Sequence, residues 1–392
     1  MPSEPEPASP NERFRTRREQ ARTRRRHQRT IALAVLVVAA ALVALGATVI
    51  GTRGSQRGGG AKQAATKKKA KPASPRPFPV EVRGVHVTMG LASLDGKLEQ
   101  YLAIPGLNTI ELDVKDEKGE VGFLMPARTL ARQVGAAKPH YKARAVAAKA
   151  QAAGVYLIGR VVVFEDPILS GKRPDLAIRT SDGSLWRNKA GFGWANPYDR
   201  RVWDYNVSIA EAAARAGFDE IQFDYVRFPS DGPIESAVFS HKVAEPMGWT
   251  VTRFVHYAST RLKPLGVRVS VDVFGLSATH ELGIGQKPGR LAKYVDAVYP
   301  MVYPSHYSSG EFNLPDPSSS PGRTVSMSLR DFRNALVGRK AVLIPWLEDF
   351  SLSGGSRPLE EVQAQIDAAR RNHTKGFLLW NPEGVYTEEV LK

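Results

Sequence analysis

The 392-residue sequence contains no cysteine, which excludes structural disulfides, a lipid-modified cysteine and thiolate metal sites. Its eight histidines form neither an HxH pair nor an HExxH motif, so metal-dependent hydrolysis is disfavoured. No glycine-rich phosphate signature follows an early predicted strand, and no GxSxG nucleophile elbow is present. We therefore expect no cofactor and no metal. Calcium held by acidic loop residues such as Asp166 or Asp231 is the open alternative.

Acidic residues are scarce near the amino terminus, and this local imbalance explains the high net charge. The whole chain carries 55 Lys and Arg against 39 Asp and Glu, a formal net charge of +16. Residues 1–80 hold 17 of the basic and 4 of the acidic side chains, so the remaining 312 residues have a net charge of only +3. Because the predicted folded part is nearly neutral, we expect no nucleic-acid partner.

Charged residues are also missing from residues 31–50, IALAVLVVAAALVALGATVI. A helix of this length matches the hydrocarbon core of a bilayer, which is about 30 Å thick. A block of nine arginines precedes the run and a more dilute basic set follows it, which favours a cytoplasmic amino terminus. We predict an uncleaved, single-pass membrane anchor with the following domain outside the cytoplasm. A cleaved signal peptide, and hence a secreted protein, is the alternative.

Composition divides the chain into four predicted regions. Residues 1–30 form a basic cytoplasmic tail, and residues 31–50 form the transmembrane anchor. Residues 51–80 are rich in Gly, Ala, Lys and Pro and have almost no large apolar side chains, which is typical of a disordered linker. Residues 81–392 change to short apolar runs that alternate with amphipathic stretches, and they form the predicted folded domain.

Eight apolar runs in this domain have the length and composition of buried β-strands. They cover residues 83–89, 108–114, 155–164, 219–226, 267–275, 296–303, 341–347 and 376–381. Helical patterns lie between them, and strands that alternate with helices indicate a parallel sheet. Eight such units over about 310 residues predict a (β/α)₈ TIM barrel. A doubly wound open sheet is the second choice, since it would need a phosphate-binding glycine motif that is missing.

The loop lengths agree with a barrel whose active site lies at one end. The predicted helix-to-strand turns are short and contain glycine, whereas three strand-to-helix connections are long. These connections are residues 165–199, 227–248 and 304–328, which follow strands three, four and six. In a barrel such connections lie at the carboxyl ends of the strands, where active sites are found.

Strand four carries an acid in an otherwise apolar run. Alternation predicts that Ile221, Phe223 and Tyr225 face the helices, and that Gln222, Asp224 and Val226 face the barrel axis. Asp224 would then place a carboxylate on the floor of the predicted active face. The alternative is a structural ion pair of Asp224 with Arg227 or Arg160, since buried pairs also occur without a catalytic role.

Acids recur near the ends of three further strands. Strand two carries Glu111, Asp113 and Lys115 on one face; strand five carries Asp272 on the inward face; strand seven ends in Trp346, Glu348 and Asp349. Taken together, the acids of strands two, four, five and seven converge on one mouth. Convergent carboxyl groups suit glycoside hydrolysis, which needs one to protonate the leaving oxygen and another to attack or stabilise the oxocarbenium-like centre.

Aromatic residues and amides accumulate in the same loops and strand ends, and they suit the apolar faces and hydroxyl edges of sugar rings. Packing within the long loops is the plainer explanation for any single one of them. The candidate substrate-binding residues are Asp113, Arg160, Trp194, Arg227, Tyr303, Trp346 and Trp380. His86 on strand one is either a ligand to substrate or a satisfied core histidine.

The run GFDEIQFDYVRFPSDG, residues 217–232, is the most specific segment of the chain. Together with RGVHVT, TIELDVKDEKG, SVDVFG and YPMVYPSHY on strands one, two, five and six, it resembles the putative glycosyl hydrolase domain family. These bacterial barrel proteins are regarded as distant relatives of the α-amylase clan. The resemblance covers about residues 81–390. It implies a (β/α)₈ barrel that acts on glycosidic bonds.

Residue roles carry over from that clan only in part. In the clan an Asp that ends strand four is the nucleophile, a Glu on strand five is the acid/base, and an Asp on strand seven holds the sugar. Asp224 matches the first position, whereas strand five offers Asp272 and strand seven offers Glu348 or Asp349. The clan's arginine two residues before the nucleophile is Gln222 here.

The sequence therefore predicts a membrane-anchored glycoside hydrolase that acts on an envelope or extracellular polysaccharide. Asp224 is the predicted nucleophile or charge stabiliser, and Asp272 or Glu348 the predicted general acid/base. A barrel that binds carbohydrate at the cell surface without cleaving it is the alternative, as is a hydrolase of another bond in wall polymers.

Overall fold

A computed structural model of the protein describes residues 74–351 and 357–392. Within them, parallel strands form one closed barrel, in which β1 pairs with β2 on one side and with β9 on the other, and β5 pairs with β6. The strands are β1 Val82–Val87, β2 Thr109–Lys115, β3 Tyr156–Val162, β4 Glu220–Asp224, β5 Arg268–Phe274, β6 Ala297–Val302, β7 Val342–Leu343, β8 Trp346–Glu348 and β9 Gly376–Trp380. This closure confirms the predicted barrel.

The seventh predicted strand is divided in the structure into β7 and β8 by Ile344 and Pro345. Proline has no backbone N–H and cannot continue a regular ladder as a donor. The neighbouring bonds persist, because Ile344 donates to the Val298 carbonyl at 3.1 Å and the Pro345 carbonyl accepts from Leu378 at 2.9 Å. Both short strands pair with β6, so together they fill one position of an eight-position barrel.

Helices cover the outside of the barrel between successive strands. They are α1 Met89–Ala92, α2 Lys97–Leu102, α3 Leu130–Gln133, α4 Ala143–Ala152, α5 Pro167–Lys172, α6 Arg200–Ala216, α7 Met247–Leu262, α8 Pro288–Leu291, α9 Pro321–Ala335 and α10 Leu359–Arg371. Gly217 ends α6 with φ +107°, a conformation that glycine adopts without strain, and its N–H caps the Ala213 carbonyl. This turn leads the chain directly into β4.

None of these helices, nor any other helix within residues 74–351 and 357–392, is long and apolar enough to cross a membrane. The predicted tail (1–30), the predicted anchor (31–50) and the first part of the predicted linker lie outside the described residues. The anchor therefore stays a prediction.

The strands of the barrel divide the apolar core into two layers. On the helix side, Phe254 of α7 contacts the rings of Phe164, Phe223 and Trp203, at centroid distances of 5.3, 5.4 and 5.8 Å. Inside the barrel a smaller cluster includes Val82, Ile158 and Leu378, all buried. The predicted orientation of Ile221 and Phe223 toward the helices agrees with their place in the helix-side layer.

Two orientations expected from simple alternation are wrong. Strand β4 ends at Asp224, and Tyr225 has φ 48°, so the alternation stops and Val226 packs in the helix-side layer instead of facing the axis. In β2 the pairing register shifts between Asp113 and Lys115. Lys115 is therefore removed from the face of Glu111 and Asp113. Its ammonium group pairs with Asp166 at 2.8 Å and contacts the Asn206 side-chain oxygen at 3.2 Å.

The floor of the barrel contains a wholly buried acid, Glu220, whose Oε2 accepts from the Tyr156 hydroxyl at 2.9 Å. Burial raises its pKa to about 7, although the hydrogen bond from Tyr156 lowers it. The chain before β1 lies across this end of the barrel. Phe78 packs on Tyr156, with 5.8 Å between ring centroids, and Arg76 pairs with Asp219 at 3.1 Å.

Replacing Phe254 by Ala should destabilise the protein by about 3–5 kcal/mol, because the change leaves a cavity between β4, α6 and α7. Val337→Ala is the control, since Val337 is 76% exposed and its loss should change the stability by less than about 0.5 kcal/mol. Urea unfolding followed by circular dichroism measures both. Equal midpoints for the two variants would contradict this packing.

Replacing Glu220 by Gln should stabilise the protein at high pH. The pKa of this carboxyl rises on folding from 4.5 to about 7, so the unfolded chain releases the proton first and stability falls as pH rises across that interval. The variant should match the wild type below about pH 4.5 and exceed it by up to about 3 kcal/mol above about pH 7. Urea unfolding at a series of pH values checks this, and a wild-type stability that rises over the same interval would refute it.

Candidate active site

Arg160 of β3 connects the acids of two strands at the mouth of the barrel. Its Nε and Nη2 donate to Oδ2 of Asp224 at 3.0 and 2.8 Å, and its Nη1 donates to Oδ1 of Asp113 at 2.7 Å. Burial alone would lower the pKa of Arg160, but the carboxylates of Asp224, Asp113 and Glu111 raise it well above its ordinary value. The guanidinium is therefore a permanent positive charge between β2 and β4.

Asp224 is held by three donors. Besides the two bonds from Arg160, its Oδ1 accepts the backbone N–H of Tyr225 at 2.6 Å. Tyr225 reaches this position because of its left-handed backbone conformation, φ 48°. Three N–H donors directed at one carboxyl group stabilise its negative charge. The side chain lies at the end of β4 and is 6% exposed, close to the solvent side of the mouth.

Asp272 of β5 is in the opposite environment. Its Oδ1 accepts from the Gln222 amide at 2.6 Å and from the indole N–H of Trp346 at 2.8 Å. Its Oδ2 is buried and finds no hydrogen-bond partner among the described residues. Burial first, and then the negative charges of Asp224 and Glu111, raise the pKa of Asp272 well above its ordinary value. This carboxyl group is suited to carry a proton on Oδ2.

Glu348 of β8 and the following Asp349 are both occupied by bonds to nearby loops. Glu348 accepts from Arg357 at 2.6 Å and from the backbone and hydroxyl of Ser305, both at 2.9 Å. Asp349 accepts from the N–H and hydroxyl of Thr387 at 2.7 and 2.8 Å, and burial raises its pKa to about 6. The bonds that these two acids make fix the loops after β6 and β8, and do not join them to Asp224 or Asp272.

Three of the predicted aromatic contacts lie inside or beside the mouth. Tyr303 and the half-buried Trp380 are 5.4 Å apart with ring planes inclined by 30°, and Phe350 packs on both. Trp346 is buried beneath them and bonds to Asp272. Trp380 can offer part of its ring surface to a ligand, whereas Tyr303 is only 7% exposed and Trp346 bonds to Asp272.

Arg227 and Trp194 form a separate cluster in the loops after β3 and β4. The guanidinium of Arg227 lies over the rings of Trp194, Tyr225 and Phe274 at 5.1, 4.7 and 4.7 Å. In the part of the chain that the structure describes, no carboxylate lies within 4.0 Å of it. Burial lowers the pKa of Arg227. Trp194 is wholly buried, so its predicted contact with sugar would need a movement of this loop.

Two further acids lie here: Glu111, which the sequence placed on the inward face of strand two without a role, and Glu165, which the sequence did not indicate. Glu111 of β2 bonds through Oε2 to Nδ1 of His86, its neighbour in the β1–β2 register. Glu165, just after β3, accepts from the Asn188 amide at 2.9 Å, and burial raises its pKa to about 7. The alternation of β2 places Glu111 on the inward face with Asp113. No sequence signal distinguishes Glu165 from other loop acids.

No group of three or more His, Asp or Glu side chains in residues 74–351 and 357–392 has an arrangement suited to a metal ion. The acids at the mouth are satisfied instead by Arg160, backbone N–H groups and other side chains. What the arrangement offers chemically is a charged carboxylate, Asp224, near a carboxyl group that favours its proton, Asp272.

Comparison with known proteins gives structural likenesses of unequal strength. A crystal structure of a hypothetical protein from Ruminiclostridium thermocellum is 34% identical, with an alignment that covers 48% of this chain and 97% of that one at a TM-score of 0.44. The PgaB (BpsB) glycoside hydrolase domain from Bordetella bronchiseptica is 15% identical, with coverages of 80% and 99% and a TM-score of 0.56.

A GH20 exo-β-N-acetylglucosaminidase from Vibrio harveyi is 14% identical, with coverages of 81% and 54% and a TM-score of 0.52. At these identities, the Bordetella and Vibrio likenesses concern the barrel fold alone. No curated protein matches the sequence.

The sequence itself matches the profile of a family described as a putative glycosyl hydrolase domain, and the match extends over residues 84–386. These are 303 of the 392 residues, and they include every strand of the barrel except the first two residues of β1. The match confirms the resemblance that residues 217–232 carry. This chain belongs to the putative glycosyl hydrolase domain family.

Proposed function

We propose that this protein hydrolyses O-glycosidic bonds of an envelope or extracellular polysaccharide, with Asp224 and Asp272 as its reacting carboxyl groups. The membership of the family supports glycoside hydrolysis as the class of reaction. The observation that carries the assignment is the contrast between the two acids on neighbouring strands. Three N–H donors stabilise a charge on Asp224, whereas burial and nearby negative charges favour the protonated form of Asp272.

Asp272 is the proposed general acid. Its Oδ1 is fixed by Gln222 and Trp346, which leaves Oδ2 as the oxygen that carries the proton. As the glycosidic C–O bond breaks, the proton moves from Oδ2 to the leaving oxygen, and Asp272 becomes a carboxylate. A raised pKa suits this role, because the acid must still hold its proton at the pH of the reaction.

Asp224 is the proposed nucleophile or charge stabiliser for the oxocarbenium-like centre. Arg160 fixes its orientation through two bonds to one oxygen and places a positive charge beside it. Asp113 shares the same guanidinium and so positions Arg160 from the other side. The other candidate acid, Glu348, accepts hydrogen bonds from Arg357 and Ser305, and these bonds suit a structural role in fixing loops.

The rings of Tyr303 and Trp380 support a sugar subsite beside these acids. Their planes are inclined by only 30°, and Trp380 is half-buried, so part of its surface is open to a ligand. Flat apolar rings bind the C–H faces of sugars, while Asp and Arg side chains bind the hydroxyl groups. The hydrogen-bonding partners at this subsite would come from Asp113 and Arg160, whereas Arg227, covered by Trp194, Tyr225 and Phe274, would reach a sugar only after a movement of its loop.

The proposed location of the enzyme is the outer side of a cell membrane, with residues 31–50 as a single-pass anchor. This part of the proposal is supported by the uncharged 20-residue run and by the arginine block that precedes it. A barrel displayed outside the cytoplasm would meet extracellular or envelope glycans directly.

Two isosteric variants test the pair of acids in the full-length protein. Asp272→Asn should lower kcat on a polysaccharide by roughly 10²–10⁴-fold, because an amide cannot protonate the leaving oxygen. Its activity should return on an aryl glycoside with a strongly acidic leaving group, which departs without protonation. Asp224→Asn should be inactive on both substrates. Reducing-end release and aryl release measure the two reactions.

Glu348→Gln distinguishes the two candidate acids. If Glu348 were the acid, this variant rather than Asp272→Asn would show selective recovery on the aryl glycoside. Full turnover in Asp224→Asn, or glycan binding by the wild type without new reducing ends, would refute the proposed hydrolysis.

Deletion of residues 31–50 should release the protein from the membrane fraction without loss of specific activity, since the anchor contributes nothing to the barrel. Protease added to intact cells should degrade the barrel of the full-length protein, because the proposed location is outside the cytoplasm. Membrane fractionation and immunoblotting measure both effects. A barrel protected in intact cells and degraded only after lysis would contradict the proposed orientation.

A further inference from the structure

Glu111 is a second buried carboxyl group inside the barrel that the proposed reaction does not use. It lies on β2, is wholly buried, and bonds through Oε2 to Nδ1 of His86. Its Oε1 finds no hydrogen-bond partner within the described ranges, 74–351 and 357–392. A buried carboxyl oxygen without a partner is costly, and Oε1 of Glu220 on the barrel floor has the same feature, so the neighbours of Glu111 decide what it can do.

Asp272 has the same unusual feature, since its Oδ2 is also buried and without a partner in the described chain. The two acids belong to one group of inward side chains. Trp346 connects them, because its indole N–H donates to Asp272 at 2.8 Å while its ring meets the edge of the His86 ring at 6.3 Å between centroids. The negative charge of Glu111 is one of the causes, after burial and Asp224, that raise the pKa of Asp272.

The charged and titratable groups around Glu111 act on its charge in opposite directions. His86 lies on β1, and its pKa is raised because Glu111 and Asp113 outweigh the lowering effect of burial. Arg160 of β3 approaches Oε1 to 3.8 Å, and Asp113 lies 3.7 Å from Nε2 of His86. The pKa values of the phenols Tyr303 and Tyr386 are raised well above their ordinary range, so these groups add no charge. Burial raises the pKa of Glu111, while His86 and Arg160 counteract this rise.

We propose that Glu111, held by His86, is a positioning residue whose negative charge returns Asp272 to its protonated form after each turnover. This inference rests on the proposed role of Asp272 as general acid. When Oδ2 gives its proton to the leaving oxygen, three carboxylates, Asp272, Asp224 and Glu111, lie in a space where like charges repel. Asp272 then takes a proton from the water that attacks the sugar: the water O–H bond breaks, the new C–O bond forms, and the sugar leaves Asp224, by cleavage of its C–O bond to that carboxylate where Asp224 acts as nucleophile.

The test is the pH profile of kcat/KM for the full-length enzyme on the polysaccharide. Glu111→Gln removes the negative charge with little change of shape, so the alkaline limb of the profile should move to lower pH by about one unit. Glu111→Asp keeps a negative charge and should return the limb toward its wild-type position. Glu220→Gln is the matched control, because it changes a buried carboxyl group on the barrel floor in the same way and should leave the limb in place.

A structural role alone would lower the thermal stability of Glu111→Gln and leave the alkaline limb unmoved, and that result would overturn the inference. A second measurement needs no variant of Glu111. In the wild type, the ¹³C chemical shifts of the Glu111 and Asp272 carboxyl carbons should each change in two steps at the same two pH values, as those of coupled acids do. A single independent step at Asp272 would also overturn the inference.

The results that would refute the proposed function differ from those that would refute the role of Glu111. If Asp272→Asn shows no recovery on the activated aryl glycoside, Asp272 is not the general acid. If Asp272→Asn recovers on the aryl glycoside but Glu111→Gln leaves the alkaline limb of the pH profile unmoved, Asp272 remains the general acid and only the proposed role of Glu111 is refuted.

Discussion

The two hydrogen bonds from Arg160 to Oδ2 of Asp224, together with its bond to Asp113, are the interactions on which the mouth of the barrel depends. Several acids face the axis here, and buried carboxylates without a counter-charge would be too costly to keep. One guanidinium on β3 serves the strands on both sides. The remaining acids lack a hydrogen bond to this cation: Glu111 is paired with His86, Asp272 accepts from the neutral Gln222 and Trp346, and the pKa of each is raised. The proposed chemistry depends on this unequal sharing of one cation.

The position of Arg160 also bears on Gln222, which stands where the resemblance to the α-amylase clan implies an arginine. Arg160 and Gln222 are direct partners in the β3–β4 register, so a positive charge beside Asp224 is supplied from the neighbouring strand. Gln222 donates to Asp272 at 2.6 Å. An arginine at this position would alter that contact, because a second cation would favour ionised Asp272.

Local patterns could predict the barrel and the inward acids, because alternation and strand ends are properties of short segments. They could not predict the exceptions, which depend on the backbone at single residues. Tyr225 adopts a left-handed conformation and ends the alternation before Val226, and a register shift moves Lys115 away from its expected face. Contacts between residues that are distant in the sequence could not be predicted either. Nothing near Glu348 in the sequence signals that Ser305 and Arg357 occupy it, or that His86 bonds to Glu111.

Burial of acids destabilises this barrel, and the two ends of the barrel axis illustrate this cost with different acids. At the floor, Glu220 bonds to Tyr156, and its raised pKa makes the fold less stable as pH rises without serving any proposed chemistry. At the mouth, the same physical cost at Asp272 would, in the proposed reaction, keep a proton available beside Asp224. The difference lies in position along the barrel axis. Glu220 is covered by the chain around Phe78 and Arg76, whereas the mouth is lined by long loops and by the half-buried Trp380. Asp272 is itself almost as deeply buried as Glu220, so its proposed use depends on its place at the mouth beside Asp224 and not on its own exposure.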